Sequence, residues 1–288
     1  MDASTAPHPA PGTSRHRIAP GTGFAIRSHA TADTGPYESE ADAEEKLVEL
    51  RERLSELSDR FAAAGDHALL IVLQGFDGAG KDSVITHVVS AVDPASLHVF
   101  SFNKPVGSEA EHDFLWRFHH QTPPRGRVHV FDRSYYEEVI SARVHGIVDQ
   151  AECTARYASI TEFERILSRD RTVILKFFLH VDKDVQAERV RERLEVPSKQ
   201  HEFAAADVKD RELWDEYDEA YEDTINSTTT DYAPWHVVPA DHRWYSRVAV
   251  AEALVSALEQ LDPQYPGLDE EELEEAGIEP PDGAGAAG

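Results

Sequence analysis

The run Gly75-Phe76-Asp77-Gly78-Ala79-Gly80-Lys81 fits G-x-x-x-x-G-K, and it stands after the apolar stretch Ala68-Leu69-Leu70-Ile71-Val72-Leu73 and before a helical pattern starting at about residue 80. Strand, glycine turn and helix are the context in which such a run binds phosphate. Gly75, Gly78 and Gly80, with the small Ala79 between, let successive backbone N–H groups curl round an anion. The following helix adds partial positive charge, and Lys81 supplies a full one. Two positions are unusual. Asp82 stands where a Ser or Thr commonly holds Mg²⁺, so a hydroxyl arrives only at Ser83. Asp77 puts a carboxylate inside an anion nest. It either faces Mg²⁺ or the acceptor phosphate, or turns outward as a turn-forming residue.

A second strand pattern, Val128-His129-Val130-Phe131, ends in Asp132 and is followed by Arg133. A carboxylate at a strand end beside a phosphate loop can hold magnesium, and an adjacent arginine can neutralise phosphoryl charge in a transition state. The alternative is a structural Asp–Arg pair.

These groups must be brought together by a scaffold, and the pattern between the ends of the chain supplies one. Leu47, Leu50, Leu54, Leu57 and Phe61 recur at three- and four-residue steps within residues 41–64, which predicts an amphipathic helix. Short β-rich runs follow at about 68–73, 97–102, 128–131, 173–179 and 236–238, most of them separated by helical patterns. That order predicts an α/β domain, a mainly parallel sheet with helices on both faces. No linker divides residues 37–261, so one domain is expected there. Residues 1–36 are rich in Pro and Gly and poor in large apolar residues, and read as a disordered arm. Residues 262–288, with Glu270-Glu271-Glu272, Pro280-Pro281 and an Ala/Gly end, read as an acidic disordered tail.

The 288 residues carry 28 Lys and Arg against 54 Asp and Glu, a formal charge of −26, which argues against nucleic acid as a partner. No apolar run approaches the roughly 20 residues of a spanning helix, and no signal-like segment opens the chain. A cytoplasmic protein without a membrane partner is expected. With only Cys153, neither an internal disulfide nor a Cys-rich zinc site can form. Such a self-repelling surface is screened at molar salt, where the Debye length is about 3 Å. A halophilic cytoplasm is therefore expected, the alternative being an ordinary acidic cytosolic enzyme.

Several ordered motifs together resemble the polyphosphate kinase 2 family. They are Gly75–Asp82, His112-Asp113-Phe114-Leu115-Trp116-Arg117, Phe131-Asp132-Arg133-Ser134-Tyr135-Tyr136, Lys176-Phe177-Phe178-Leu179-His180 and Tyr232-Ala233-Pro234-Trp235. The wording is most similar to the polyphosphate:nucleotide phosphotransferase subgroup. The resemblance implies a P-loop kinase-like three-layer sandwich with a helical lid. It implies Mg²⁺-dependent phosphoryl transfer between inorganic polyphosphate and nucleoside mono- or diphosphates. In that reading Asp77 and Asp132 organise magnesium and the acceptor phosphate, while Lys81 and Arg133 stabilise the transferred group.

The resemblance also implies a lid of basic residues, matched by Arg189 and Arg193, four apart on one helix face, and by Lys199. Surface charge on an amphipathic helix is the alternative for the arginines. Lys81, Arg117, Arg133, Arg189 and Arg193 are expected to line one local channel for the polyanion, and a homo-oligomer is expected. The sequence departs from the family at His201-Glu202, where Trp-Lys is common, and Asn103-Lys104 shifts a family lysine by one position. Two rival functions stay open: an ATP-dependent nucleotide or small-molecule kinase, and a nucleotide- or polyphosphate-binding regulator without turnover.

Other signals read as structural. His112, His119 and His120 lie among Phe114, Leu115, Trp116 and Phe118, a packed segment rather than a metal site. Trp214, Tyr217 and Tyr221 read as core packing rather than a base-stacking platform. Asn226-Ser227-Thr228 matches a glycosylation sequon by chance.

Overall fold

A computed structural model describes residues 14–202, 205–268 and 275. The elements run in the order α1 (Glu40–Ala64), β1 (Ala68–Gln74), α2 (Lys81–His87), β2 (Leu97–Ser101), α3 (Trp116–His119), β3 (Val128–Asp132), α4 (Ser141–Val144) and α5 (Gln150–Arg169). They continue with β4 (Thr172–His180), α6 (Lys183–Glu195), α7 (Ala205–Asp210), α8 (Trp214–Thr228), β5 (Trp235–Pro239) and α9 (Arg243–Leu261). The five strands form one parallel sheet in the order β2-β3-β1-β4-β5. β1 and β4 sit in its middle and are buried along almost their whole length, as near-continuous apolar runs require when helices cover both faces.

One layer is α1 packed on α9, with α2 alongside; the other is α5 packed on α8, with α4 alongside. The apolar ladder of α1 faces inward: Leu47, Leu50, Leu54, Leu57 and Phe61 are all buried. Ser39 caps the start of α1 by accepting the Asp42 N–H at 3.2 Å, and Gly65 ends it at φ 63°, a left-handed position that favours glycine. The five strands and this helix lie where the periodicity predicts them, and the sheet is the expected α/β sandwich.

A polar network crosses the core beneath the ends of β1 and β3. Lys176 on β4 and Glu164 on α5 are fully buried and paired at 2.8 Å. Lys176 Nζ also donates to the Thr228 carbonyl and to Tyr136 Oη, both at 2.8 Å. The Tyr135 and Tyr136 hydroxyls donate to Glu164, each at 2.8 Å. Burial pulls the Lys176 ammonium down from its ordinary range and pushes both tyrosines well up. The network fixes the two tyrosines that directly follow Asp132-Arg133-Ser134.

Residues 14–36 differ from the expected disordered arm. Ile18, Phe24 and Ile26 are buried in the common core. Arg17 makes an antiparallel bridge with His236, the Ile18 N–H donates to the Trp235 carbonyl at 2.8 Å, and the Val237 N–H donates to the His16 carbonyl at 2.9 Å. The segment is a strap closing the open edge of β5. Asn226 holds it like a short strand: its side chain accepts the Phe24 N–H and donates to the Phe24 carbonyl, both at 2.8 Å. That engagement also occupies the apparent sequon. The remainder of the arm, and most of the acidic tail, lie outside the described residues.

Candidate functional site

The carboxyl ends of β1 and β3 meet where an open parallel sheet places ligands. Leu73 pairs with Asp132 in register, so the loop leaving β1 and the Asp132-Arg133 pair leaving β3 emerge side by side. In the loop, Gly75, Gly78 and Gly80 have φ of 151°, 81° and 111°. A Cβ on Gly75 would lie 3.0 Å from both Ala79 Cβ and the Leu179 carbonyl oxygen, so the turn excludes any larger residue there. The Ala79 N–H closes the turn on the Phe76 carbonyl at 3.0 Å. Lys81 is buried, with Nζ 3.3 Å from the Gly75 carbonyl, folded back over its own loop. The strand, tight glycine turn and helix that the sequence predicts are all present, with the turn built from glycines in conformations other residues resist.

Arg133 adopts φ 59°, left-handed for a non-glycine residue, and its N–H donates to the Leu73 carbonyl at 3.1 Å. Strain of this kind persists where the surroundings over-determine a position, and it clusters at functional sites. Here the register with β1 on one side and the buried Tyr135-Tyr136 anchor on the other hold it.

Two openings flank the loop, and Asp77 lines both. On one side is a basic cleft of about 330 Å³ whose walls include Lys81, Asp82, Arg189, Arg193, Arg243 and Arg247. On the other is a narrow recess of about 50 Å³ lined by Phe76, Arg133, Glu137, Tyr217 and Tyr221, among others. Tyr217 and Tyr221 are buried, and Trp214 stacks on Phe76 with ring centroids 3.8 Å apart. The three aromatics are core residues, as expected, and two of them also wall the recess.

The expected single channel is therefore divided. Lys81, Arg189 and Arg193 share the basic cleft, Arg133 faces the recess, and Arg117 lines neither. Arg117 is buried and donates to the Asn103 carbonyl at 2.6 Å and to Glu138 at 3.1 Å, beneath the Phe118 ring. These contacts tie Arg117 to the fold, away from the two openings beside the loop. Arg189 is also buried and donates to backbone carbonyls, and burial, then the nearby Arg243, lowers its pKa to about 10. Arg193 pairs with Asp77 across the loop. Ser83 accepts Arg247 Nε at 2.8 Å. The side chains of Lys199, His201 and Glu202 lie outside the described residues, and Lys104 is exposed.

Arg243 and Arg247, on the first turns of α9, were not marked by any sequence motif. Their one signal is a four-residue spacing directly after the β5 strand, which is too common to single out on its own.

The carboxylates fit a hard cation. Asp132 Oδ1 is buried with no hydrogen-bond partner, while Oδ2 accepts Ser101 Oγ at 3.3 Å. Asp82 stands close enough that desolvation, and then the charge of Asp132, push its carboxyl above the ordinary aspartate range. Among the described residues there is no group of three or more His, Cys, Asp or Glu able to hold a metal by themselves. A divalent ion bound by one or two carboxylates, with its shell completed by substrate phosphates and water, is the usual magnesium arrangement.

His112 stacks on Trp116, and His120 and His119 meet Trp116 and Phe163 edge-on, although all three histidines are exposed rather than packed inside.

Comparison with known proteins gives this geometry relatives. The chain is 43% identical over 253 residues to an AMP/ADP-polyphosphate phosphotransferase of Meiothermus ruber, covering 88% of this chain and 95% of that protein. It is 41% identical to an ADP-polyphosphate phosphotransferase of Rhodopseudomonas palustris, covering 80% and 84% of the two chains. The crystal structure of polyphosphate kinase 2 from Arthrobacter aurescens superposes with a TM-score of 0.86 at 39% identity, covering 94% of this chain and 98% of that one. The sequence pattern described as Polyphosphate kinase 2 matches residues 37–266, which span the whole sheet, the glycine loop and both flanking helical layers. With the loop, the strand-end carboxylate and the fold in agreement over that length, the chain belongs to the polyphosphate kinase 2 family.

Proposed function

We propose that the protein transfers phosphoryl groups between inorganic polyphosphate and nucleoside mono- or diphosphates, with Mg²⁺, in a cytoplasm of high ionic strength. The observation that carries this reading is the placement of Asp77 between two openings of unlike character. One is a cleft walled by arginines, suited to a polyanion; the other is a recess with aromatic walls and one arginine. A reaction joining two phosphorylated substrates needs both to reach one loop from different sides. The activities named for the relatives support the same reading.

The loop N–H groups and Lys81 bind the phosphate to be transferred and neutralise its charge. Arg133, fixed by its backbone, approaches from the recess side, where it can stabilise charge on the equatorial oxygens. Asp132 and Asp77 would hold magnesium, whose bound form neutralises phosphate oxygens and aligns them. Little covalent chemistry is needed; positioning and charge carry most of the catalysis.

The test is product formation by purified protein in high KCl with Mg²⁺, given polyphosphate with AMP or with ADP. New ADP or ATP is expected, reduced about a hundredfold or more in Lys81→Ala, as for loss of a group that stabilises the transition state, and similarly in Asp77→Asn. Folded protein that phosphorylates an acceptor only from ATP would make it an ATP-dependent kinase. Nucleotide binding without turnover would make it a regulator.

A further inference from the structure

Arg189 matches a position that resembles a lid arginine, yet its guanidinium, at the wall of the basic cleft, is engaged by backbone carbonyls. Nη1 donates to the Gly78 and Ala79 carbonyls at 3.0 and 3.1 Å, and Nη2 to the Ala240 and Asp241 carbonyls at 2.6 and 2.8 Å. Both terminal nitrogens have thus spent both of their N–H groups on backbone. One turn earlier on α6, Gln186 Nε2 donates to the Asp77 carbonyl at 2.8 Å, and Arg211 holds the Gln186 side-chain oxygen in turn. Three successive carbonyls of the phosphate loop, at 77, 78 and 79, are therefore capped from outside by two side chains of one helix.

A peptide loop can present its N–H groups to an anion only if its carbonyls point elsewhere, because a carbonyl turned inward would repel phosphate. Buried carbonyls without donors are costly. We infer that Arg189 and Gln186 are positioning residues. They hold the loop carbonyls outward so that the cradle is already formed before substrate arrives, and Arg189 does not serve as a phosphate ligand. The same guanidinium ties the loop to the turn after β5, which is itself held by the strap: the Asp241 N–H donates to the Thr31 carbonyl at 3.0 Å. The consequence for turnover rests on the proposed function; the effect on the free loop does not.

The experiment compares full-length wild type with Arg189→Lys, Arg189→Met and the milder Gln186→Leu, without substrate, by hydrogen exchange of peptides covering residues 75–88. A lysine keeps the charge but cannot span carbonyls on two segments. Several-fold faster exchange in this peptide is expected in all three variants, with β4 and β5 peptides at wild-type rates. In the transfer assay both Arg189 variants should lose about tenfold or more in kcat. Wild-type exchange at 75–88 in the Arg189 variants would overturn the inference. So would Arg189→Lys retaining kcat while Arg189→Met raises only the KM for polyphosphate, since that is how a direct charge contact behaves. If wild type itself does not use polyphosphate, the functional proposal fails, and the exchange data still decide the positioning role.

Discussion

At the scale of single residues, the buried Lys176–Glu164 pair shows how tightly chemistry and folding are joined behind the site. Lys176→Met alone leaves a buried carboxylate facing two tyrosine hydroxyls, and removing one partner of such a pair costs about 3–5 kcal/mol. Adding Glu164→Gln should recover much of the loss, because both charges then leave the core. Urea denaturation of the single and double variants checks this, and equal stability would argue against a buried ion pair. The residues proposed to do the chemistry stand out in the sequence because such roles constrain type and spacing at once: glycines in a turn, Lys81 after them, Asp132 at a strand end. The contacts of Arg117 and Arg189 are not legible there. A guanidinium that caps carbonyls and one that binds phosphate have the same letter in the sequence, and only the path of the backbone separates them. The same holds for Arg243 and Arg247, which α9 brings to the cleft from far along the chain.

At the scale of elements, the strands and α1 could be read directly, since buried parallel strands and a one-sided helix each leave a strong periodic pattern. The strap could not. Its apolar anchors Ile18, Phe24 and Ile26 are few, and its hydrogen-bonding partners belong to β5 and Asn226, remote in sequence. Asn226→Ala should release it locally, at a cost of about 1–3 kcal/mol for the unsatisfied backbone groups. Faster hydrogen exchange over residues 17–26 with an unchanged sheet checks this.

The contact between the strap and β5 is also acid-sensitive. Burial first, and then Arg15, lowers the His16 pKa to about 4; burial holds His236 at about 3. Both are neutral when folded, whereas free histidines protonate near pH 6.5. The unfolded or undocked chain therefore binds more protons below 6.5. Each histidine costs about 1.4 kcal/mol of stability per pH unit from there down towards its folded pKa, and nothing above 6.5. Protection of the strap amides, measured against their intrinsic exchange rate at each pH, should fall between pH 6.5 and 4.5. A flat profile would mean that the two rings are not held neutral.

At the scale of the whole molecule, the charge of −26 sets the conditions under which the rest operates. The melting temperature should rise as KCl increases from dilute buffer to molar concentrations, because screening removes repulsion among surface carboxylates. A melting temperature indifferent to KCl would mark an ordinary acidic protein. Composition made this surface legible, and among the described residues no helix is long and apolar enough to cross a membrane. What composition could not convey is how an acidic molecule keeps a basic cleft: arginines from α6 and α9, far apart in the chain, converge on it.

The clamp on the phosphate loop has a further meaning for how the molecule is made. The loop is written early in the chain, between residues 75 and 81, but its strand neighbours β3 and β4 come later. The Ala240 and Asp241 carbonyls that share Arg189 with it come later still. Such long-range closure is the slow part of folding. A nascent chain emerging from the ribosome would thus carry the proposed phosphate-binding sequence for most of its synthesis without the clamp that shapes it. On the proposed reading, the ability to grip phosphate would appear only once β5 and the turn behind it have been released, and the newborn protein would not engage nucleotide before its sheet is complete.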